Sequence, residues 1–97
     1  MIHLEKENLN DLIKEDKVLV DFYAQWCGPC KMLGPILEGI DDKIKIIKVD
    51  IDAHEDIASE YRIMSVPTLI FFKDGKKVTE AIGFHSEEDL LEIIDKL

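Results

Sequence analysis

Cysteine, tryptophan and proline are all scarce in this chain of 97 residues, which has two, one and three of them respectively. Two cysteines cannot build the disulfide framework on which many small secreted domains depend. Apolar residues make up 46% of the chain, which is enough for a core that is stable without disulfide bonds. No stretch approaches the roughly 20 apolar residues of a membrane-spanning helix. We therefore expect one domain over residues 1–97, built around an apolar core.

Basic residues are also scarce, with 12 Lys and Arg against 21 Asp and Glu and a formal net charge of −9. Proteins that bind nucleic acid or anionic membranes need a basic surface, so both classes of partner are disfavoured. Solubility is the simplest role for the acidic excess. The first residues, MIHLEKENLN, contain no basic segment followed by an apolar run, so no secretory signal is visible. Together with the low cysteine count, this leads us to expect the cytosol.

Short apolar runs alternate along the chain with patterns of helical period. Strands are predicted at 2–4, 18–24 and 43–51 and in the segments TLIFFK and KKVTEAI. Helices are predicted at 9–16, after the second cysteine, from 52 to about 62, and from Ser86 onward. The resulting order is β-α-β-α-β-α-β-β-α, with strands joined through helices parallel and the last two antiparallel. We expect a single α/β domain with a mixed central sheet flanked by helices on both faces.

Three local features sharpen these boundaries. Pro35 lies inside the second helical pattern and predicts a bend there, because proline cannot donate a backbone hydrogen bond. Asp52 and Glu55 have the spacing of a capping box and predict the start of the third helix. Asp74-Gly75 separates two strand patterns and indicates a tight hairpin turn.

The only two cysteines stand in the pentapeptide WCGPC at 26–30. On the first turn of a helix, residues three apart face the same side, so Cys27 and Cys30 are close enough for a disulfide. Gly28-Pro29 suits the entry into the helix. At the helix start, unpaired N–H groups and the positive dipole end favour the thiolate of Cys27, while Cys30 should be less exposed. An outer nucleophile with a resolving thiol behind it fits two-step disulfide exchange.

Other uses of the two thiols are less consistent with the sequence. A structural disulfide would close a very small loop and would constrain little of the unfolded chain. A zinc site needs four ligands, and no second CxxC is present; only His3, His54 and His85 could contribute, and each stands alone. Inert buried thiols would not need the Gly-Pro turn. Redox chemistry is favoured, and the other uses stay open as alternatives.

Asp21 is the second unusual feature, because every neighbour in VLVDFY is apolar. Burial in such surroundings disfavours the charged carboxylate and raises its pKa, which makes proton exchange near neutral pH possible. The alternative is an aspartate near the end of a strand that reaches solvent.

Three segments, in order, resemble those of thioredoxins. VDFYAQWCGPCKMLGPILEGI resembles the family's active-site segment, SVPTLIFFKDGK its proline loop and hairpin, and AIGFHSEEDL its final glycine turn and helix. The resemblance covers essentially the whole chain. It implies the thioredoxin fold and a thiol–disulfide oxidoreductase, a dithiol electron carrier that reduces protein disulfides.

The resemblance also implies partners and a source of electrons. Cys27 would be the nucleophile and Cys30 the resolving residue, joined in a disulfide when oxidised. No cofactor would be bound, since NADPH would supply reducing equivalents through a separate thioredoxin reductase. That reductase and disulfide-containing target proteins would be the partners of a monomeric protein.

Further site residues follow from the same resemblance. Asp21 would take up the proton of Cys30, and Lys48 would lie beside Asp21 and tune it. Pro67 would follow a cis peptide bond and pack against the cysteines, leaving the backbone of Val66 free to pair with a target. The expected target-binding surface consists of Trp26, Gly28, Pro29, Val66, Pro67 and Gly83.

Residue patterns alone leave plainer interpretations open for three of these positions. Lys48 could be an exposed strand lysine, Pro67 a strand-initiating proline, and Trp26 a core residue. The chain also departs from the family. Tyr23 stands where a tryptophan is common, which should affect local packing more than mechanism. Met64-Ser65 replaces a frequent arginine-glycine pair, a change that can alter which partners dock.

The sequence also leaves rival functions open. The same fold could serve an oxidant or an isomerase, which would differ in reduction potential. A thioredoxin-like chain could also act mainly as a binding subunit, or the cysteines could belong to a metal-binding module.

Overall fold

Five strands and four helices alternate along the chain in a computed structural model that describes every residue from 1 to 97. The strands are β1 (Ile2–His3), β2 (Lys17–Tyr23), β3 (Lys45–Asp50), β4 (Thr68–Lys73) and β5 (Lys76–Ile82). The helices are α1 (Leu9–Leu12), α2 (Gly28–Ile40), α3 (Glu55–Glu60) and α4 (Glu87–Asp95). The predicted order of elements is confirmed. No helix has the length and apolar character needed to cross a membrane.

The strands form one mixed sheet in the order β1-β3-β2-β4-β5. β1 and β2 are parallel to β3, whereas β4 is antiparallel to both β2 and β5. The prediction that strands joined through helices run parallel is therefore wrong for β3 and β4. With six residues, α3 is only ~9 Å long and does not itself span the ~20 Å length of a strand. The chain enters β4 at the edge of the sheet where β3 ends.

Helices cover both faces of the sheet, as predicted. Alternation along β2 sends Leu19 into a core with α2 and α4, and Val18, Val20 and Phe22 into a second core with α1 and α3. All four side chains are fully buried. Because β2 is covered on both faces, its nearly continuous apolar sequence is explained.

Local signals account for several element boundaries. The Asn8 side chain accepts a hydrogen bond of 2.8 Å from the Asn10 backbone and caps α1, which is nevertheless shorter than the predicted 9–16. α2 continues through Pro35 to its end at Ile40. At the hairpin, Asp74 and Gly75 both have positive φ, the geometry predicted from this residue pair.

The start of α3 differs from the prediction. His54 is the N-cap residue and its side chain makes no capping hydrogen bond. The capping-box interpretation of Asp52 and Glu55 is therefore wrong: Asp52 lies in the preceding turn, where its side chain has another partner, described below.

The end of α3 places a non-glycine residue in the left-handed region. Arg62 has φ 55°, and its N–H donates to the Ser59 carbonyl while the N–H of Ile63 donates to the Ala58 carbonyl. These two bonds define a Schellman motif, whose left-handed position usually holds glycine because a Cβ atom is unfavourable there. Arg62 is exposed and forms no ion pair.

Replacing Arg62 with glycine should therefore stabilise the protein. We expect Arg62→Gly to raise the free energy of unfolding by about 0.5–1 kcal/mol in urea denaturation, because it removes the Cβ conflict. Arg62→Ala is the matched control, since it removes the charge but keeps Cβ. An equal gain in both variants would attribute the effect to charge and contradict this explanation.

Candidate active site

Three chain segments meet at one edge of the sheet because of the strand directions. β2 and β3 both end there, with Tyr23 paired to Asp50, and the antiparallel β4 starts there with Thr68 paired to Phe22. β5 ends at the same edge, where Ile82 pairs with Thr68. The loops after β2, before β4 and after β5 are thereby brought together.

The cysteine pair occupies the loop after β2 and the first turn of α2. Cys27 is the N-cap residue, with extended backbone, and its Sγ accepts a hydrogen bond of 3.1 Å from the Cys30 backbone N–H. The two residues form a disulfide with their Cα atoms 5.3 Å apart. Each residue is 4% exposed, so the expectation that Cys30 is less exposed than Cys27 is wrong for the oxidised pair. Both sulfurs share one small cluster with Ala24, against which Val66 packs.

The loop before β4 lies directly against the disulfide. The Val66–Pro67 peptide bond is cis, and the Val66 carbonyl oxygen lies 3.7 Å from Cys27 Sγ. Neither the N–H nor the carbonyl of Val66 takes part in a backbone hydrogen bond. Gly83, with φ 87°, donates its N–H to the Pro67 carbonyl at 2.8 Å and so ties the loop after β5 to this segment.

Two polar residues that the sequence analysis did not assign to the site support this loop and Trp26. The Thr68 hydroxyl, almost fully buried, donates to the Ser65 carbonyl at 2.7 Å and closes the turn before β4. Asp52 accepts a hydrogen bond of 2.9 Å from Trp26 Nε1. The indole is 69% exposed, so Trp26 is a surface residue and the core interpretation does not hold. Asp52 lies 26 residues from Trp26, and no sequence pattern links them.

Asp21 is completely buried, and neither of its carboxylate oxygens has a hydrogen-bond partner. The nearest cation is the ammonium of Lys48, whose Nζ lies 3.7 Å from Oδ2, an ion-pair distance that is too long for a hydrogen bond. Burial raises the pKa of Asp21 from 3.8 to about 6, although Lys48 acts in the opposite direction. The interpretation of Asp21 as a solvent-reaching aspartate is therefore excluded.

Lys48 is likewise not an exposed strand lysine, since its side chain is only 12% exposed. Its Nζ lies 4.6 Å from the centre of the Tyr23 ring. Both residues border an open groove of about 580 Å³ beside Cys30. The other residues that line this groove are Ala24, Gln25, Lys31, Gly34, Pro35 and Glu38.

No group of three or more His, Cys, Asp or Glu side chains is arranged to hold a metal ion. The metal-binding alternative for the cysteine pair therefore has no ligand set. This edge of the sheet presents a disulfide at a helix N-terminus and an unpaired backbone segment beside it, and β2, which leads to the disulfide, carries a buried carboxylate.

Comparison with known proteins agrees with this geometry. The family model described as Thioredoxin matches residues 1–96. The chain belongs to the thioredoxin family. It is accordingly a thiol–disulfide oxidoreductase, and Cys27 and Cys30 form its redox-active pair, as the family resemblance in the sequence implied. Protein-disulfide reduction is favoured over the oxidant, isomerase and binding-subunit alternatives.

Relatives match over nearly their full length. The thioredoxin of Staphylococcus saprophyticus is 43% identical over 100 aligned residues, which cover 99% of this chain and 96% of the relative. The thioredoxin of Bacillus subtilis is 48% identical over 86 residues, or 84% and 83% of the two chains. Among solved structures, a mutant thioredoxin from Halobacterium salinarum superposes with a TM-score of 0.92 at 37% identity, over 98% of this chain and 88% of that one.

The unfavourable burial of the Asp21 carboxylate should make the free energy of unfolding depend on pH. The pKa of Asp21 is about 6 in the folded protein and 3.8 in the unfolded chain, so the folded state binds this proton more tightly. The resulting contribution to stability is complete below pH 3.8 and is lost as the pH rises through 6. At pH 8 we expect Asp21→Asn to raise the free energy of unfolding by up to about 3 kcal/mol, since a pKa difference of about 2 is involved. Below pH 4 the gain should vanish.

Urea denaturation at a series of pH values measures this difference. Asp42→Asn is the matched control, because Asp42 is exposed and forms no ion pair. A gain for Asp21→Asn that does not depend on pH would contradict the electrostatic explanation.

Proposed function

We propose that the protein reduces disulfides of target proteins in two steps, with Cys27 as the nucleophile and Cys30 as the resolving thiol. The observation that carries this assignment is the position of Cys27 at the N-cap of α2. There its Sγ accepts the Cys30 N–H and lies at the positive end of the helix dipole, and both interactions favour a thiolate. Cys30, three residues further along the chain and inside the helix, has no such position.

In the first step, the Cys27 thiolate attacks one sulfur of the target disulfide. A bond forms between Cys27 and that sulfur, the target disulfide breaks, and the other target sulfur leaves as a thiolate that takes up a proton from water. In the second step, the Cys30 sulfur attacks Cys27 Sγ. The Cys27–Cys30 disulfide forms, the mixed disulfide breaks, and the second target sulfur leaves. Two electrons have then passed from the dithiol to the target.

The second step requires Cys30 to lose a proton, and we assign its acceptance to Asp21. Asp21 lies on the face of β2 that α2 covers, and its oxygens have no hydrogen-bond partner that would hold them in the ionised form. Its pKa of about 6 lets it exist as a carboxylate and as an acid near neutral pH. We assign to Lys48 the tuning of this carboxylate, as its single nearby cation.

Target recognition is assigned to the surface around Cys27. The unpaired N–H and carbonyl of Val66 can form main-chain hydrogen bonds to an extended target segment, as an added strand would. Its cis neighbour Pro67 is buried, and Trp26, Gly28, Pro29 and Gly83 complete a largely uncharged surface around Cys27. Main-chain pairing places few demands on target sequence, which suits a reductant of many proteins.

Electrons must come from outside the protein in this scheme. We propose that a separate thioredoxin reductase, supplied by NADPH, reduces the Cys27–Cys30 disulfide and that no cofactor is bound here. A monomer that acts in the cytosol on disulfide-containing proteins, without nucleic acid or membrane, is consistent with the net charge of −9.

Turnover of a model protein disulfide tests the proposed function. With NADPH and a thioredoxin reductase, we expect wild-type protein to reduce the substrate and Cys27→Ser to show only the background rate. Cys30→Ser should instead accumulate a mixed disulfide with the substrate, because the first step remains possible. A dithiothreitol-driven assay controls for a mismatched reductase. Equal turnover by wild type and Cys27→Ser in both assays would contradict the proposal.

Single-turnover kinetics test the role of Asp21. After mixing reduced protein with a disulfide substrate at pH 7, we expect Asp21→Asn to slow resolution of the mixed disulfide by roughly a hundredfold, the lower end of general acid–base contributions. Formation of the mixed disulfide should change little, because the carboxylate does not act on Cys27 in that step. An unchanged resolution rate would show that Asp21 is not the proton acceptor.

A further inference from the structure

Three side chains of different chemistry lie side by side next to the groove that Cys30 lines. Alternation along β2 places Asp21 and Tyr23 on the same face, towards α2, and the parallel register pairs Asp21 with Lys48 of β3. The Lys48 ammonium lies between them, 3.7 Å from Asp21 Oδ2 and 4.6 Å from the centre of the Tyr23 ring.

We propose that Tyr23 is a positioning residue for proton exchange at the active site: the face of its ring holds the Lys48 ammonium beside the Asp21 carboxylate. The inference rests on the proposed function of Asp21. It concerns the position at which this chain carries tyrosine where the family commonly has tryptophan.

Lys48 needs such a constraint because the carboxylate alone does not hold it. At 3.7 Å the contact with Asp21 is not a hydrogen bond, and the lysine stem is long and flexible. Lys48 borders an open groove, which the Glu38 carboxylate of α2 also lines, so the ammonium is not enclosed by Asp21 alone. An aromatic face attracts an ammonium most strongly when that ammonium is partly desolvated, as the 12% exposure of Lys48 indicates.

The other groups around Asp21 do not supply the same constraint. β3 contributes Lys48 and Asp50, and β4 places the apolar Leu69 opposite Asp21. α2 contributes polar groups that line the same groove as Lys48. The α2 groups that face this region are Cys30, Lys31 and Glu38. Lys48 is the one cation within ion-pair distance of Asp21.

The aromatic face of Tyr23, not its hydroxyl, makes the contact. The hydroxyl forms no hydrogen bond within the protein, whereas Nζ of Lys48 lies over the ring. Burial, with Asp50 and Asp21 nearby, raises the pKa of Tyr23 above its ordinary 10.0, so the ring stays neutral at physiological pH. Phenylalanine should therefore substitute for tyrosine here, and an aliphatic residue should not.

A purely structural role for Tyr23 predicts the opposite sign of effect on Asp21. If the ring only shielded the carboxylate from water, its removal would hydrate Asp21 and lower the pKa. If the ring positions Lys48, its removal releases the ammonium, the carboxylate loses its favourable partner, and the pKa of Asp21 rises. The direction of change thus separates the two roles.

Carbon-13 NMR titration of the Asp21 carboxyl in the oxidised protein measures this direction. We expect Tyr23→Leu to increase the proton affinity of Asp21 about two- to fivefold, the range typical of one cation–π contact. Tyr23→Phe should leave it unchanged. Lys48→Met should increase it at least as much as Tyr23→Leu, and the double variant should show no further increase beyond Lys48→Met.

Several outcomes would overturn the proposal. They are a lower or unchanged proton affinity in Tyr23→Leu, an equal change in Tyr23→Phe, or an undiminished effect of Tyr23→Leu in the Lys48→Met background. Thermal unfolding establishes that each variant folds, and Tyr23→Met is the second ring-less variant if leucine prevents folding.

The pH profile of mixed-disulfide resolution separates this inference from the proposed function. In Tyr23→Leu its midpoint should move upward together with the Asp21 titration. If the titration moves as expected and the resolution profile does not, the positioning by Tyr23 stands and the proton-transfer role of Asp21 fails.

Discussion

The position of β2 between β3 and β4 is the constraint on which the site depends. β3 pairs with it in parallel and β4 in antiparallel direction, so two strand ends and one strand start lie at the same edge. The helix that follows β2 begins at Cys27, and the segment that leads into β4 carries Val66–Pro67. A different direction for β4 would put this segment at the far end of the sheet, a full strand length from the disulfide.

The same strand brings an ionisable group into the core. Asp21 lies between apolar neighbours that are fully buried, and only Lys48 offsets the loss of its hydration. A carboxylate with several hydrogen bonds would stay ionised at neutral pH, and one with no cation nearby would stay protonated. Incomplete compensation places Asp21 between these extremes, so that both protonation states are accessible near neutral pH.

Several features were predictable because they depend on short-range chemistry. WCGPC at a helix start, the Asp74-Gly75 hairpin and the alternation of strands with helices are all encoded within a few residues. The burial of Asp21 followed from its apolar neighbours. Asp52 was misinterpreted because its spacing to Glu55 fits a helix cap, whereas its actual partner, Trp26, is distant in sequence. The contact between Lys48 and the Tyr23 ring also joins two strands, and local pattern does not reveal it.

The sequence by itself therefore determined the family, the order of elements and the reactive pair, since each rests on local propensity and on motifs of adjacent residues. Only the tertiary structure decided the direction of β4, the partner of Trp26 and the placement of Lys48 between Asp21 and Tyr23. These depend on which strands become neighbours and on the direction in which each strand runs. Such pairings are set by packing of the whole domain.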